Sequence, residues 1–275
     1  MNSIKEHIPI YKQFVLCLKS GLNLLDESSR DEIRQFVTSH QGESGGFVDR
    51  GNRGDLYYSL FGFWLASAFE LKSELDKLKG FVSGQTEEIS PIDRFSKVLI
   101  QEGLAQPKKN FWRFFKELVV SDHPVNFSYQ LFLFLLIFDA RYGKKRWLSF
   151  LLRLLLTIYR PPVGGPCSLL AALLVARNEV GLKTDRMQKQ LLAYYNNDGG
   201  FKAFEQMERA DMLSTGVALF ALQKTDFDKR LIAAPCLEFI QQNFDTGAFL
   251  SGDGDATRDL EYTFYGLLAL GSLVE

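Results

Sequence analysis

Four carboxylates stand where a side chain could do proton chemistry: Asp55, Asp211, Asp259 and Glu261. Each opens an apolar, helix-like segment or lies in its first turn. Asp211 heads 211-DMLSTGVALFAL-222, and Asp259 heads 259-DLEYTFYGLLAL-270, 48 positions later. Thr215 matches Thr263, and Ala221-Leu222 match Ala269-Leu270. A carboxylate in such a place has two uses. It can accept hydrogen bonds from the unpaired N–H groups of a helix start. It can also hold a proton at neutral pH, if burial and neighbouring carboxylates raise its pKa enough. For Glu261 the neighbours would be Asp253, Asp255 and Asp259, while the helix N-terminus works the other way by favouring the ionised form. A first-turn Glu is also common for helix stability alone, so both uses stand.

The elements that must position these acids come from an internal repeat. Upstream of the two matching helices, 199-GGF-201 corresponds to 247-GAF-249 at the same offset. The stretch 44-SGGFVDRGNRGDLYYSLFGFWLA-66 has the glycines, the Phe and then Asp55 opening an apolar helix. Weaker copies are 126-NFSYQLFLFLLIF-138, with Asn126 as its expected cap, and 164-GGPCSLLAALLVA-176. A sixth, poor unit starts near 90-SPIDRFSKVLIQEGL-104. Between them lie amphipathic stretches at 28–39, 109–120, 184–195 and 229–242, with charges beside an apolar stripe. A helix that is apolar around its circumference must be buried. Six units of about 46–48 residues fill the chain. The spacing therefore predicts an all-α fold, an α/α toroid of about six helical hairpins, as one domain over 1–275.

Composition narrows the function. The net charge of −1 exerts no global pull on nucleic acid. Cys17, Cys167 and Cys236 are scattered, without a CxxC pair, and read as buried thiols in a reducing compartment. The N-terminus lacks a signal-peptide core, and the longest apolar run, 131-LFLFLLIF-138, is too short to span a bilayer. A cytoplasmic protein is expected. The segment 143-GKKRWLSFLLRLLLTIYRPP-162 mixes basic ends with leucines. It reads either as a peripheral membrane contact or as an outer helix with Arg153 and Arg160 snorkelling.

Across GGF…DMLSTGVALFALQ and GAF…DLEYTFYGLLAL the sequence resembles the prenyltransferase β-subunit and squalene-cyclase (class II terpene cyclase) repeat superfamily. The resemblance covers about 190–275 and, less fully, 44–66. It implies an α/α toroid whose inner-helix N-termini face an aromatic-lined cavity for an isoprenoid chain. The zinc of the protein prenyltransferases needs an Asp-x-Cys and a His. Here Asp211 fits the Asp, but Leu213 and Tyr262 stand at the other two positions, so no metal site is implied. In the cyclase branch the middle Asp of Asp-x-Asp-Asp-Thr protonates an alkene or epoxide. Leu213 and Ser214 break that motif at 211, whereas 259-DLEYT-263 puts Glu261 at the donor position. The catalytic expectation is thus Glu261, with Asp211 and Asp259. The resemblance also implies that a helical-repeat partner subunit could accompany the toroid.

Arg50, Arg53, Arg209 and Arg258 precede inner helices and could hold a diphosphate by paired hydrogen bonds. They could equally pair with Glu205, Glu208 or Asp255. The expected substrate-binding set is these four arginines with Glu205, Asp255, Tyr262 and Tyr265. The loop 251-SGDGDATRD-259 offers Asp253, Asp255 and Asp259 as oxygen ligands for Mg²⁺ or Ca²⁺, or as ordinary turn builders; no cofactor other than Mg²⁺ is expected. Aromatics such as Phe61, Phe63, Trp64, Phe127, Tyr129, Phe204, Phe220 and Phe264 are core residues or, facing a cavity, could stabilise a carbocation. His7, His40 and His123 form no catalytic signature. Three functions follow: an isoprenoid-handling enzyme, a non-catalytic relative that binds a lipid or partner, and a glycan-active toroid using Glu205, Glu208 or Glu261.

Overall fold

Apolar stretches become helices here because their starts are capped. Asp26, Asp55, Asp211 and Asp259 are all extended residues. Each accepts a bond from the backbone N–H three positions on: Ser29 at 2.8 Å, Tyr58 at 2.8 Å, Ser214 at 2.7 Å and Tyr262 at 2.9 Å. Such a cap contributes about 1 kcal/mol. The acids at 55, 211 and 259 are therefore helix caps, whatever else they do.

The computed structural model describes residues 7–85, 90–105, 124–142, 146–162 and 164–274. Among the described residues the protein is all-α, with twelve helices and one short antiparallel pair, β1 (Phe244–Asp245) with β2 (Ala248–Phe249). The helices are α1 (Ile10–Leu24), α2 (Glu27–Ser39), α3 (Leu56–Ala68), α4 (Lys72–Gly84), α5 (Pro91–Gly103) and α6 (Pro124–Tyr142). They continue with α7 (Arg146–Ile158), α8 (Cys167–Glu179), α9 (Asp185–Leu192), α10 (Met212–Lys224), α11 (Ala233–Gln242) and α12 (Leu260–Ser272). The sequence reading differs in three places. Asn126 is not a cap, because α6 already starts at Pro124, where a proline's missing N–H costs nothing. The stretch expected as helix over 229–242 becomes regular only at Ala233. The amphipathic stretch 109–120 lies outside the described residues.

The apolar helices are mutual neighbours. α3 packs on α5, α5 on α6, α6 on α8, α8 on α10, α10 on α12, and α12 again on α3. The amphipathic helices lie against this series, α4 on α3, α9 on α8 and α11 on α12.

One device recurs at the helix starts. The Phe of the glycine turn donates its N–H to a hydroxyl four residues beyond the cap. Phe47 bonds Ser59 at 2.9 Å, Phe201 bonds Thr215 at 2.9 Å, and Phe249 bonds Thr263 at 3.4 Å. Two of these rings lie directly on a glycine. A Cβ on Gly62 would come within 2.2 Å of the Phe47 ring, and one on Gly266 within 2.2 Å of the Phe249 ring. The turn glycines Gly45, Gly199 and Gly247 all have positive φ, at 87°, 94° and 80°. Each abuts a backbone carbonyl of an amphipathic helix: Lys77 of α4, Pro235 of α11 and Glu32 of α2. The last repeat thus rests on the first amphipathic helix of the chain.

α1 is the element that pattern reading did not find. It crosses the C-terminal halves of the apolar helices. Asp139 near the end of α6 accepts the Ile10 N–H at 2.7 Å and sits 2.8 Å from the His7 imidazole. The Cys17 thiol lies 3.3 Å from the Ser272 hydroxyl at the end of α12. Gly21 and Gly271 let the α1 and α12 backbones touch, since a Cβ on Gly271 would fall 1.9 Å from the Cys17 carbonyl oxygen. Phe14 points inward against Trp64, Phe220 and Phe264, with centroids 5.5, 4.9 and 5.8 Å away. Cys17, Cys167 and Cys236 are all buried thiols.

Candidate functional site

The residues two positions beyond the caps are Tyr57 after Asp55, Leu213 after Asp211 and Glu261 after Asp259. Two of them, Tyr57 and Glu261, meet, while Leu213 lines a cavity. The Tyr57 hydroxyl donates to Glu261 Oε1 at 2.5 Å. Glu261 is half-buried. Burial pushes its carboxyl up to about 7, with the Asp259 carboxylate adding to the rise and the Tyr57 hydroxyl and Arg50 opposing it. A carboxylic acid near that value is poised to give or take a proton at neutral pH.

Arg50 closes one side of this site. It sits in a tight hairpin in which the Asp49 N–H donates to the Arg53 carbonyl oxygen and the Asp49 carboxylate gathers the Gly51 and Arg53 N–H groups. The hairpin carries the guanidinium to α12. Its Nε and Nη2 donate to Asp259 Oδ2 at 2.9 and 2.8 Å, and its Nη1 donates to Asp255 at 3.0 Å. The guanidinium also stands over the Tyr262 ring, 5.7 Å from its centroid, a favourable cation–π placement. Burial raises the Tyr58 and Tyr262 hydroxyls to about 12, with Asp259 and Glu261 adding to both. Both phenols are therefore neutral donors across the physiological range.

The interior also holds an apolar cavity of about 250 Å³. Its walls include Leu136 of α6, Ala172 and Val175 of α8, Leu213 and Val217 of α10, and Tyr265 of α12, with Phe14 of α1 as floor. The alanines of α8 leave this space by failing to fill it. The opposite half of the interior is packed with rings. Phe61, Trp64 and Phe264 pack there with centroids 4.9–5.9 Å apart, Trp64 stacked on Phe264 and Phe61 edge-on or tilted, and none of the three lines the cavity. Phe204, Phe220 and Tyr265 do line it. Glu261 does not, but Tyr265 is one turn further along the same helix face.

The other expected site residues are distributed as follows. Asp211 caps α10, and burial raises its carboxyl. Its Oδ2 is enclosed without a hydrogen-bond partner. Arg53 is exposed and pairs with Asp49 in its own hairpin at 3.5 Å. Arg209 donates to the Asp253 carbonyl oxygen at 3.0 Å and so braces the 251–259 loop. Arg258, Glu205 and Glu208 are exposed. Within the loop, Asp253 accepts from the Ser251 hydroxyl, and Asp255 accepts from the Thr257 N–H and hydroxyl. These acids are thus engaged in building the turn. Among the described residues, no group of three or more His, Cys, Asp or Glu is arranged to hold a metal ion. The side chains of Phe127 and Tyr129, and His123 altogether, lie outside the described residues.

Two contributors escaped sequence reading. Tyr57 was visible as the partner of Glu261 in repeat register, since both follow a capping Asp by two. Phe14 had no such signal, because α1 belongs to no repeat.

No protein-family model matches this sequence, and no curated protein matches it either.

Proposed function

We propose that the protein handles an isoprenoid or similar branched apolar chain, in the manner of the terpene-cyclase and prenyltransferase β-subunit toroids. The observation that carries this reading is an apolar cavity whose wall includes Tyr265, one helix turn beyond the protonatable carboxyl of Glu261. The cyclic order of helix neighbours and the packing of the Gly247 turn on α2 support a closed α/α toroid of six hairpins, the last formed by α12 with α2. The cavity, at about 250 Å³, is smaller than the ~300–1,000 Å³ usual for ligand pockets. That size favours a geranyl- or farnesyl-sized chain over longer ones.

In the enzymatic form of the reading, the tail occupies the cavity and the reactive end reaches Glu261. The protonated carboxyl transfers its proton to an alkene or epoxide. The resulting carboxylate keeps the Tyr57 hydrogen bond, while the phenol face of Tyr265 stands beside the cation that forms. The cation is quenched by losing a proton to water, which leaves a product alkene, and Glu261 regains a proton from solvent when product leaves. Arg50 holds Asp259 in place with two hydrogen bonds and Asp255 with a third, and so serves as a brace for α12.

A second reading, a non-catalytic lipid-binding relative, is favoured by one observation. Among the described residues, no carboxylate lines the cavity itself. Incubation with geranyl, farnesyl and geranylgeranyl diphosphates and Mg²⁺, followed by product analysis, separates the two. Cyclised or rearranged products lost in Glu261→Gln support the enzyme. Binding without product supports the carrier. Absence of both binding and product for every isoprenoid overturns the proposal.

A further inference from the structure

α7 wears its apolar face on the outside. Leu156 is buried and Leu152 partly so, on the side facing α8, where Arg177 donates to the Leu156 carbonyl oxygen at 2.7 Å. The opposite side carries Trp147, Phe150, Leu151, Leu154, Leu155 and Ile158, which are 45–71 % exposed. Their spacing keeps them on one stripe of the helix. Monomeric soluble proteins seldom present such a contiguous apolar row without a use for it.

The charge around this stripe selects its occupant. From residue 140 to 178 the sequence contains no Asp or Glu. Arg153 stands exposed on the flank of the stripe, and Arg160 stands exposed just past its end. Trp147 and Tyr159, at either end, are the two side-chain types that suit a boundary between apolar and wet layers. A second copy docked across a two-fold axis would set Arg153 against its own image or close to it, and an acidic face would be needed to relieve that. An anionic bilayer surface satisfies the apolar row and the arginines together.

We infer that α7 lies in the headgroup region of an anionic membrane, with its Trp147-to-Ile158 stripe among the upper acyl carbons. The contact is peripheral, since among the described residues no helix is long and apolar enough to cross a membrane. It stands independently of what the cavity holds.

The test uses the full chain and sedimentation with vesicles of phosphatidylcholine alone or mixed with phosphatidylglycerol. The protein is expected to sediment with the mixed vesicles and less with the neutral ones. Leu154→Glu/Leu155→Glu changes only exposed positions and should keep the melting temperature. It should lower partitioning by at least about tenfold, because binding scales with the apolar area inserted. Arg153→Glu should weaken binding to the mixed vesicles by about fivefold or more and leave the neutral ones nearly unchanged. Failure to sediment with either vesicle overturns the inference, as does sedimentation indifferent to the double Glu variant. A solution dimer that the double variant splits into monomers also overturns it, because the stripe would then be covered by a second copy.

Discussion

Arg50 and Asp259 are 209 positions apart in the chain, yet the guanidinium reaches the carboxylate at 2.8 Å. Asp259 is both the cap of α12 and the buried partner of this pair, with 5 % side-chain exposure against 41 % for Arg50. The contact ties the first glycine-turn unit to the last. Arg50→Ala leaves the buried carboxylate uncompensated, and removing one partner of a fully buried pair costs about 3–5 kcal/mol. Because Arg50 is itself well exposed, solvent screening reduces the expected loss to roughly 1–2 kcal/mol. Asp259→Asn keeps a cap and removes the charge. A thermal-denaturation double-mutant cycle of the two should give a positive coupling energy that shrinks in high salt.

Glu261 should set a pH dependence of stability. Its folded pKa of about 7 lies above the ordinary glutamate value. The folded state therefore binds the proton more tightly than the unfolded state. The stabilisation is fully present below about pH 4.3, the unfolded pKa, and is lost as pH rises through about 7, at up to roughly 3.5 kcal/mol in total. Glu261→Gln removes this loss and should be more stable than the parent at pH 8, with a flatter stability profile between pH 5 and 7. Denaturant midpoints across that range report the difference. A parent profile that rises with pH would contradict the assignment.

Gly62 and Gly266 are fixed by the rings lying on them. Alanine at either position forces its Cβ to within 2.2 Å of Phe47 or Phe249. Overpacking of this kind costs about 1–3 kcal/mol, and more where backbone must move. Gly80 on α4, by contrast, faces open space, and a Cβ there would meet nothing within 4 Å. Gly80→Ala should stabilise by about 0.5–1 kcal/mol through helix propensity. Melting temperatures of the three variants should separate cleanly in sign.

The cavity can be shrunk or enlarged from opposite walls. Ala172→Leu projects into the empty space and should leave the melting temperature within about 2–4 °C of the parent, a change of no more than about 1 kcal/mol. It should abolish binding of a farnesyl-sized ligand. Phe14→Ala joins the floor to extra volume. It should cost about 3–5 kcal/mol and shift preference toward longer chains. Competition between geranyl and geranylgeranyl ligands reads both effects.

Local physics was readable along the chain. The glycine turns, the Asp caps, the apolar helices and the singular carboxyl at Glu261 all follow from neighbours a few residues apart. Each therefore leaves a motif, and repetition made the motifs visible. The pairing of Tyr57 with Glu261 was half legible, since both occupy one register of the repeat, but register does not tell which copies face each other. Three features depended on the folded chain. α1 crosses the helix ends through Phe14 and the Gly21–Gly271 contact, and neither has a local pattern. Arg50 turns to Asp259 because a hairpin and a helix start arrive together from opposite ends of the sequence. The cavity exists because small side chains on α8 meet a space that aromatic rings fill only on the far side. Contacts and voids belong to sets of distant residues, and their energies are decided by packing that no single segment encodes.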